Sequence, residues 1–119
     1  SASAGERVYV GASPDGWYPV FGFAPDHSDG DLAVNGNDAI ELYRDGVVID
    51  VFGQVDVNGT GTDWDYADGY AYRNNDSGPN NGEFVSGHWS AQPGALSGLD
   101  ASAASDAVSG VFGSYTCSP

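Results

Sequence analysis

Lysine is absent from this chain of 119 residues, and its only fixed cations are Arg7, Arg44 and Arg73. Against them stand 17 acidic residues, giving a formal net charge of −14. Such a surface repels phosphate backbones, so direct nucleic-acid binding is not expected. It suits a saline or cation-rich extracellular setting, where ions screen the self-repulsion, and equally the acidic cytosol of a halophile. The single cysteine, Cys117, cannot form an intrachain disulfide; in an exported chain it is either free or bonded to another molecule. No stretch approaches the roughly 20 apolar residues that cross a bilayer, so no membrane partner is expected. No apolar set recurs at i, i+3, i+4 and i+7 over successive turns, which argues against a helical protein. A charged-plus-apolar leader is also lacking. Ser1-Ala-Ser-Ala-Gly5 reads either as the mature end of a secreted, extracellular chain or as an arbitrary start.

Catalytic groups are scarce as well. His27 and His88 are the only histidines, and no serine, cysteine or carboxylate is spaced around them as a nucleophile–base pair. The expectation is a non-catalytic protein without catalytic or cofactor-binding residues.

What the chain has in quantity is glycine, at 18 residues, and aromatic side chains, at 13%. Its length suits one domain with a modest core, and the turn-rich composition suits an all-β fold. The clearest local signal lies within residues 35–53. Asp45-Gly46 is a two-residue hairpin turn, because a type I′ turn needs positive φ at both central positions. Folding there in strict register sets Leu42 opposite Ile49 and Ile40 opposite Val51 on an apolar face. Tyr43 then faces Val48, and Glu41 faces Asp50, on a polar one. Two carboxylates directly opposite destabilise a sheet, so a cation, an arginine or protonation of one carboxyl offsets them, or both point into water. With so few arginines in the chain, Arg73 is the favoured partner.

Further strands are expected at residues 6–11, 69–73, 83–90 and 111–117. Residues 17–23 read as an edge strand or a loop because of Pro19. The loops fall at 24–37, 54–68 and 74–82, and one helical turn is expected around 101–108. Five to seven short strands separated by turn signals suggest a β-sandwich.

At this point the wording of residues 35–73, NGNDAIELYRDGVVIDVFG followed by DVNGTGTDWDYADGYAYR, resembles the lamin tail domain in its bacterial extracellular form. Phe84 to Trp89, Ala95-Leu96 and Phe112-Gly-Ser-Tyr-Thr116 look like the end of the same module. The resemblance implies an immunoglobulin-like antiparallel β-sandwich, usually non-catalytic, of the kind that accompanies secreted nucleases and other exported proteins. Such domains open with two strands ahead of the position of Trp17, whereas here only residues 1–16 precede it, with one short strand. The implied sandwich over 17–119 is therefore short of a complete first strand pair, with an open edge and an uncovered groove. A second copy could fill the groove with its N-terminal segment, and repeated exchange would give a homopolymer, an extracellular filament. The partners expected are thus the chain itself or other extracellular surface components. The alternative role is that of an accessory domain in a larger secreted hydrolase.

Residues 54–68 also carry a candidate calcium site. Asp56, Asn58 and Thr60 supply oxygens at positions one, three and five, with Gly61 at six, as in a calcium loop. Position twelve is Ala67, which excludes an EF-hand, so a looser site would draw on Asp63, Asp65 and Asp68. Asp26, Asp29 and Asp31 form a second, weaker cluster. The alternative for both is an acidic, solvated loop. Asn58 and Asn75 open N-glycosylation sequons, and a glycan on Asn58 would exclude its use as a calcium ligand. Trp64, Tyr66, Tyr70 and Tyr72 alternate, and on one strand face they would form core packing or a sugar-stacking row.

Overall fold

Asp45 and Gly46 take φ values of 52° and 79°, the two positive angles that a type I′ turn needs, and they reverse the chain between its two longest strands. The computed structural model describes residues 3–118. Before that turn come β1 (Val10–Gly11), α1 (Pro14–Phe21), β2 (His27–Ser28) and β3 (Ile40–Arg44). After it come β4 (Val47–Phe52), β5 (Tyr70–Arg73), β6 (Trp89–Gln92) and α2 (Ala101–Val108). The strands pair as three two-stranded sheets: β1 with β2 in parallel, and β3 with β4 and β5 with β6 antiparallel. The fold is thus small and β-rich, with few helices.

The hairpin departs from strict register. Arg44 faces Val47 and Tyr43 faces Val48, as expected, but Ile49 then bulges out. Beyond it Leu42 faces Asp50, Glu41 faces Val51, and Ile40 faces Phe52. The expected pairs Leu42–Ile49, Ile40–Val51 and Glu41–Asp50 are therefore corrected. A bulge adds one residue to one strand and swaps the faces of everything after it. Here it separates the two carboxylates that strict pairing would have opposed. Glu41 accepts a bond from the Tyr43 hydroxyl at 2.9 Å instead. Asp50 turns to the Arg73 guanidinium, which donates to both its carboxylate oxygens.

Phe52, 6% exposed, and Trp64, 3% exposed, anchor the core. Tyr66, Phe84 and Trp89 meet Phe52 edge to face, with ring centres 5.4, 5.8 and 4.9 Å away. The Trp64 indole lies in a slot walled by glycines: a Cβ on Gly59 would stand 2.4 Å from the ring, and one on Gly53 2.8 Å.

A second aromatic cluster joins the ends of the chain. Tyr9 stacks on Phe112 at 5.4 Å and Phe21 on Phe112 at 4.3 Å, with Trp17 against Phe21 at 4.3 Å. These contacts account for two corrections, at residues 17–23 and 111–117. Residues 17–23, expected as strand or loop, are mostly helix. Pro14 occupies its first turn, Asp15 follows, and Gly22 closes it in the left-handed region with its N–H on Tyr18 O at 2.8 Å. Helical spacing places Trp17 and Phe21 together, so Pro19 inside the helix is tolerated. Residues 111–117 are turns and irregular chain, which lets Phe112 reach the cluster. The strand expected over 83–90 is displaced: Ser86–His88 form a 3₁₀ turn and the pairing falls at Trp89–Gln92. The strand over 6–11 shortens to Val10–Gly11. The helical turn expected at 101–108 is α2, capped by Asp100, whose carboxylate accepts from Ala103 N at 2.8 Å. Among the described residues no helix is long and apolar enough to cross a membrane.

Candidate functional site

The two outer edges of the hairpin are finished differently. Along β4 the Asn80 carboxamide stands in for a neighbouring strand: its Oδ1 accepts from Val51 N at 3.0 Å, and its Nδ2 donates to Val51 O at 2.7 Å. Asn81 N donates to Ile49 O at 3.0 Å. Asp50 Oδ1 receives the Asn80 N–H at 3.2 Å, so the ion pair and the edge seal share one carboxylate. Arg73 also donates to Ser77 O and Gly78 O at 2.8 and 2.6 Å, and its guanidinium lies 4.2 Å over the Trp89 ring. The side chains of Arg73 and Asp50 are 11% and 20% exposed, so this brace is largely shielded from water.

Along β3 no such cover exists among the described residues. All five of its residues are exposed, and its backbone makes no hydrogen bond outside the β3–β4 ladder. Ile40 is 45% exposed, Leu42 58% and Tyr43 56%. Ile40 and Leu42 form one wall of an open groove of about 300 Å³, whose floor and far wall include Phe52, Tyr66, Ala71 and Trp89. The groove is apolar apart from Asp50 and the tyrosine and tryptophan polar atoms. Tyr66 OH and Trp89 Nε1 are buried without a protein partner. Burial, and then the charge of Asp38, raise the Tyr66 pKa above that of a free phenol.

The five residues expected around calcium are dispersed. Asp56 and Asn58 line a shallow polar groove with Asp38 and Glu41, Asp63 lines a hollow beside Trp64, and Asp68 lines another beside Leu96. Asp65 accepts from Gly61 N at 2.8 Å and Ala67 N at 3.0 Å; these two bonds, Gly61 first, hold its carboxyl below the usual carboxylate range. Asn58 Oδ1 accepts from Thr60 N at 2.9 Å and Asn37 Nδ2 at 3.2 Å. Their oxygens are thus spent on shaping the loop. In the weaker cluster, Asp26 accepts from Tyr9 N and Asp29 from Asp31 N. Among the described residues no three His, Cys, Asp or Glu side chains converge as metal ligands do.

Of the sequons, Asn58 and Asn75 are both exposed, and Asn75 Oδ1 accepts from Thr116 N at 2.8 Å. The aromatic row divides: Trp64 and Tyr66 enter the core cluster, while Tyr70 and Tyr72 stack on each other at 6.4 Å, half-buried. His27 is exposed in β2, and His88 is half-buried with Nδ1 unpartnered.

Sequence reasoning found the Asp50–Arg73 contact and missed Asn80. An asparagine in a Pro-Asn-Asn-Gly turn reads as turn chemistry, and nothing local marks it as the cover of a strand 29 residues away. Comparison with protein-family models, curated proteins and solved structures gave no match to this chain.

Proposed function

We propose that this chain is an extracellular, non-catalytic contact module that associates with copies of itself by strand addition. The observation that carries the reading is β3, exposed along all five residues, unpaired on its outer edge and bordering an apolar groove. An edge strand left uncovered, with unpaired N–H and C=O groups, is a template for another strand. The resemblance of residues 35–73 to the lamin tail domain supports a sandwich-like framework and a role in contact. It is also what points to secretion, together with the −14 charge.

Residues 1–16 were expected as a segment exchanged between subunits. In the described part, Val10–Gly11 pairs with His27–Ser28 of the same chain, and Tyr9 O accepts from Asp26 N and His27 N. That engagement favours an edge-to-edge contact over N-terminal exchange. Electron microscopy and light scattering of the purified chain over a range of concentrations test the reading. Oligomers or filaments are expected. A monodisperse monomer throughout would replace self-association with the accessory-domain role in a larger secreted hydrolase.

A further inference from the structure

Resting on the extracellular part of that reading, we infer that the folded chain presents one acceptor for an N-linked glycan, Asn58, and withholds its other sequon at Asn75. Two groups define a sequon: the carboxamide nitrogen that takes the sugar and the hydroxyl two residues on. At residues 58–60 both are open. Asn58 and Thr60 are exposed, while Gly59 between them is buried, a Cβ there standing 2.4 Å from the Trp64 ring. Asn58 Oδ1 accepts from Thr60 N at 2.9 Å, an Asx turn, and from Asn37 Nδ2 at 3.2 Å. The carboxamide is thus held by its oxygen, and its Nδ2 donates to no protein atom among the described residues. The Thr60 hydroxyl accepts from the same Asn37 Nδ2 at 3.0 Å, which leaves its own proton free to be donated.

The Asn75 sequon has the opposite setting. The C-terminal segment lies across it: Thr116 N donates to Asn75 Oδ1 at 2.8 Å, Asp76 N to Thr116 O at 3.0 Å, and Ser118 N to the Asp76 carboxylate. Ser77 is half-buried, and its hydroxyl proton is committed to Asn74 O at 2.5 Å, with His88 O at 3.2 Å. Arg73 grips the Ser77 carbonyl at 2.8 Å. Drawing residues 75–77 into an enzyme cleft breaks these bonds, one of them made by the Arg73 brace, whereas at residues 58–60 the two groups already stand open. The donor is a lipid-linked oligosaccharide diphosphate. Asn58 Nδ2 bonds to C1 of the first sugar as the C1–O bond to the diphosphate breaks. The diphosphate leaves with that electron pair, and the Nδ2 proton passes to a base of the transferase. Asn58 lines the polar groove with Glu41, while Ile40 and Leu42, on the alternate face of β3, line the apolar one. The glycan is therefore rooted on the polar side.

Incubating the purified whole chain with an oligosaccharyltransferase and a lipid-linked oligosaccharide tests this, with a free Asn-Gly-Thr peptide in the same mixture as the check on the enzyme. Peptide mapping by mass spectrometry should find Asn58 occupied, and Asn75 occupied at about a tenth of that level or less, since its bonds must open first. Thr60→Val, which keeps the shape of the side chain and removes the hydroxyl, should cut occupancy of Asn58 by about tenfold or more. Thr60→Ser should keep it, and circular dichroism should show both variants folded. Modification of Asn75 to the same extent as Asn58, or of neither while the peptide is consumed, overturns the inference. A chain that proves monomeric by light scattering yet carries the glycan at Asn58 leaves it standing, since only the self-association then falls.

Discussion

β3 and β4 are the two halves of one hairpin, and their outer edges meet opposite fates. β4 has its backbone bonds taken by Asn80 and Asn81, and Val51 and Phe52 beside them are 4% and 6% exposed. Among the described residues β3 has neither cover nor burial. The difference shows how so small a chain closes a sheet. With few strands available, a loop side chain with one acceptor and one donor on a planar amide imitates the next strand. The imitation works only where the loop is held, and Arg73 holds it, binding Ser77 O and Gly78 O on the loop while gripping Asp50 on β4. Arg73 therefore ties β5 and the 74–82 loop to the hairpin.

Breaking that tie should have the largest effect. Arg73→Ala removes the partner of a shielded carboxylate, two carbonyl contacts and the cation over Trp89. Losing one member of a buried pair costs about 3–5 kcal/mol, and with Asp50 still 20% exposed the lower figure applies. Urea unfolding followed by tryptophan fluorescence should show the midpoint falling accordingly. An unchanged midpoint would mean that the two sheets hold together without the brace.

Asn80→Ala should come next. It leaves the C=O of Val51 without its side-chain partner, and the N–H with the Asp50 carboxylate at 3.1 Å alone, at a residue 4% exposed. An unsatisfied buried backbone group costs roughly 1–3 kcal/mol, partly relieved where water reaches the new gap. The same substitution should speed hydrogen exchange at Val51 N–H more than at Tyr43 N–H, which the single chain already leaves open. Equal acceleration at both would erase the distinction between the edges.

These two residues also mark how far the sequence is legible. The Asp45-Gly46 turn was readable because few residue pairs tolerate two positive φ angles. Arg73 was readable as the partner of Asp50 because scarcity left so few candidates. The bulge at Ile49 was not, since alternation of Ile40, Leu42, Ile49 and Val51 fits a straight ladder equally well. Helix α1 was not read, because Pro19 argued for an edge strand or a loop; Pro14 in its first turn and Gly22 at its end are the signals that could have marked it. Packing of Trp17 and Phe21 onto Phe112 outweighs the hydrogen bond that a proline forfeits, and those contacts join residues 95 and 91 positions apart. In the same way the oxygens of Asn58 and Asp65 looked available to a cation, and it is the folded loop that brings backbone amides onto them.

The smallest effect, and the sharpest contrast, should come from truncating one apolar residue on each edge. Val51→Ala removes methyl groups from a packed site and should cost about 1–3 kcal/mol. Leu42→Ala removes more carbon, yet Leu42 is 58% exposed in the single chain, so at concentrations too low for association the change should stay within about 0.5 kcal/mol. Raising the protein concentration should separate the two: the wild-type melting temperature climbs as copies associate, and that of the Leu42 variant does not follow. A concentration-independent wild-type melting temperature would make the exposure of Leu42 a property of the lone chain, and the asymmetry of the hairpin would then end at stability.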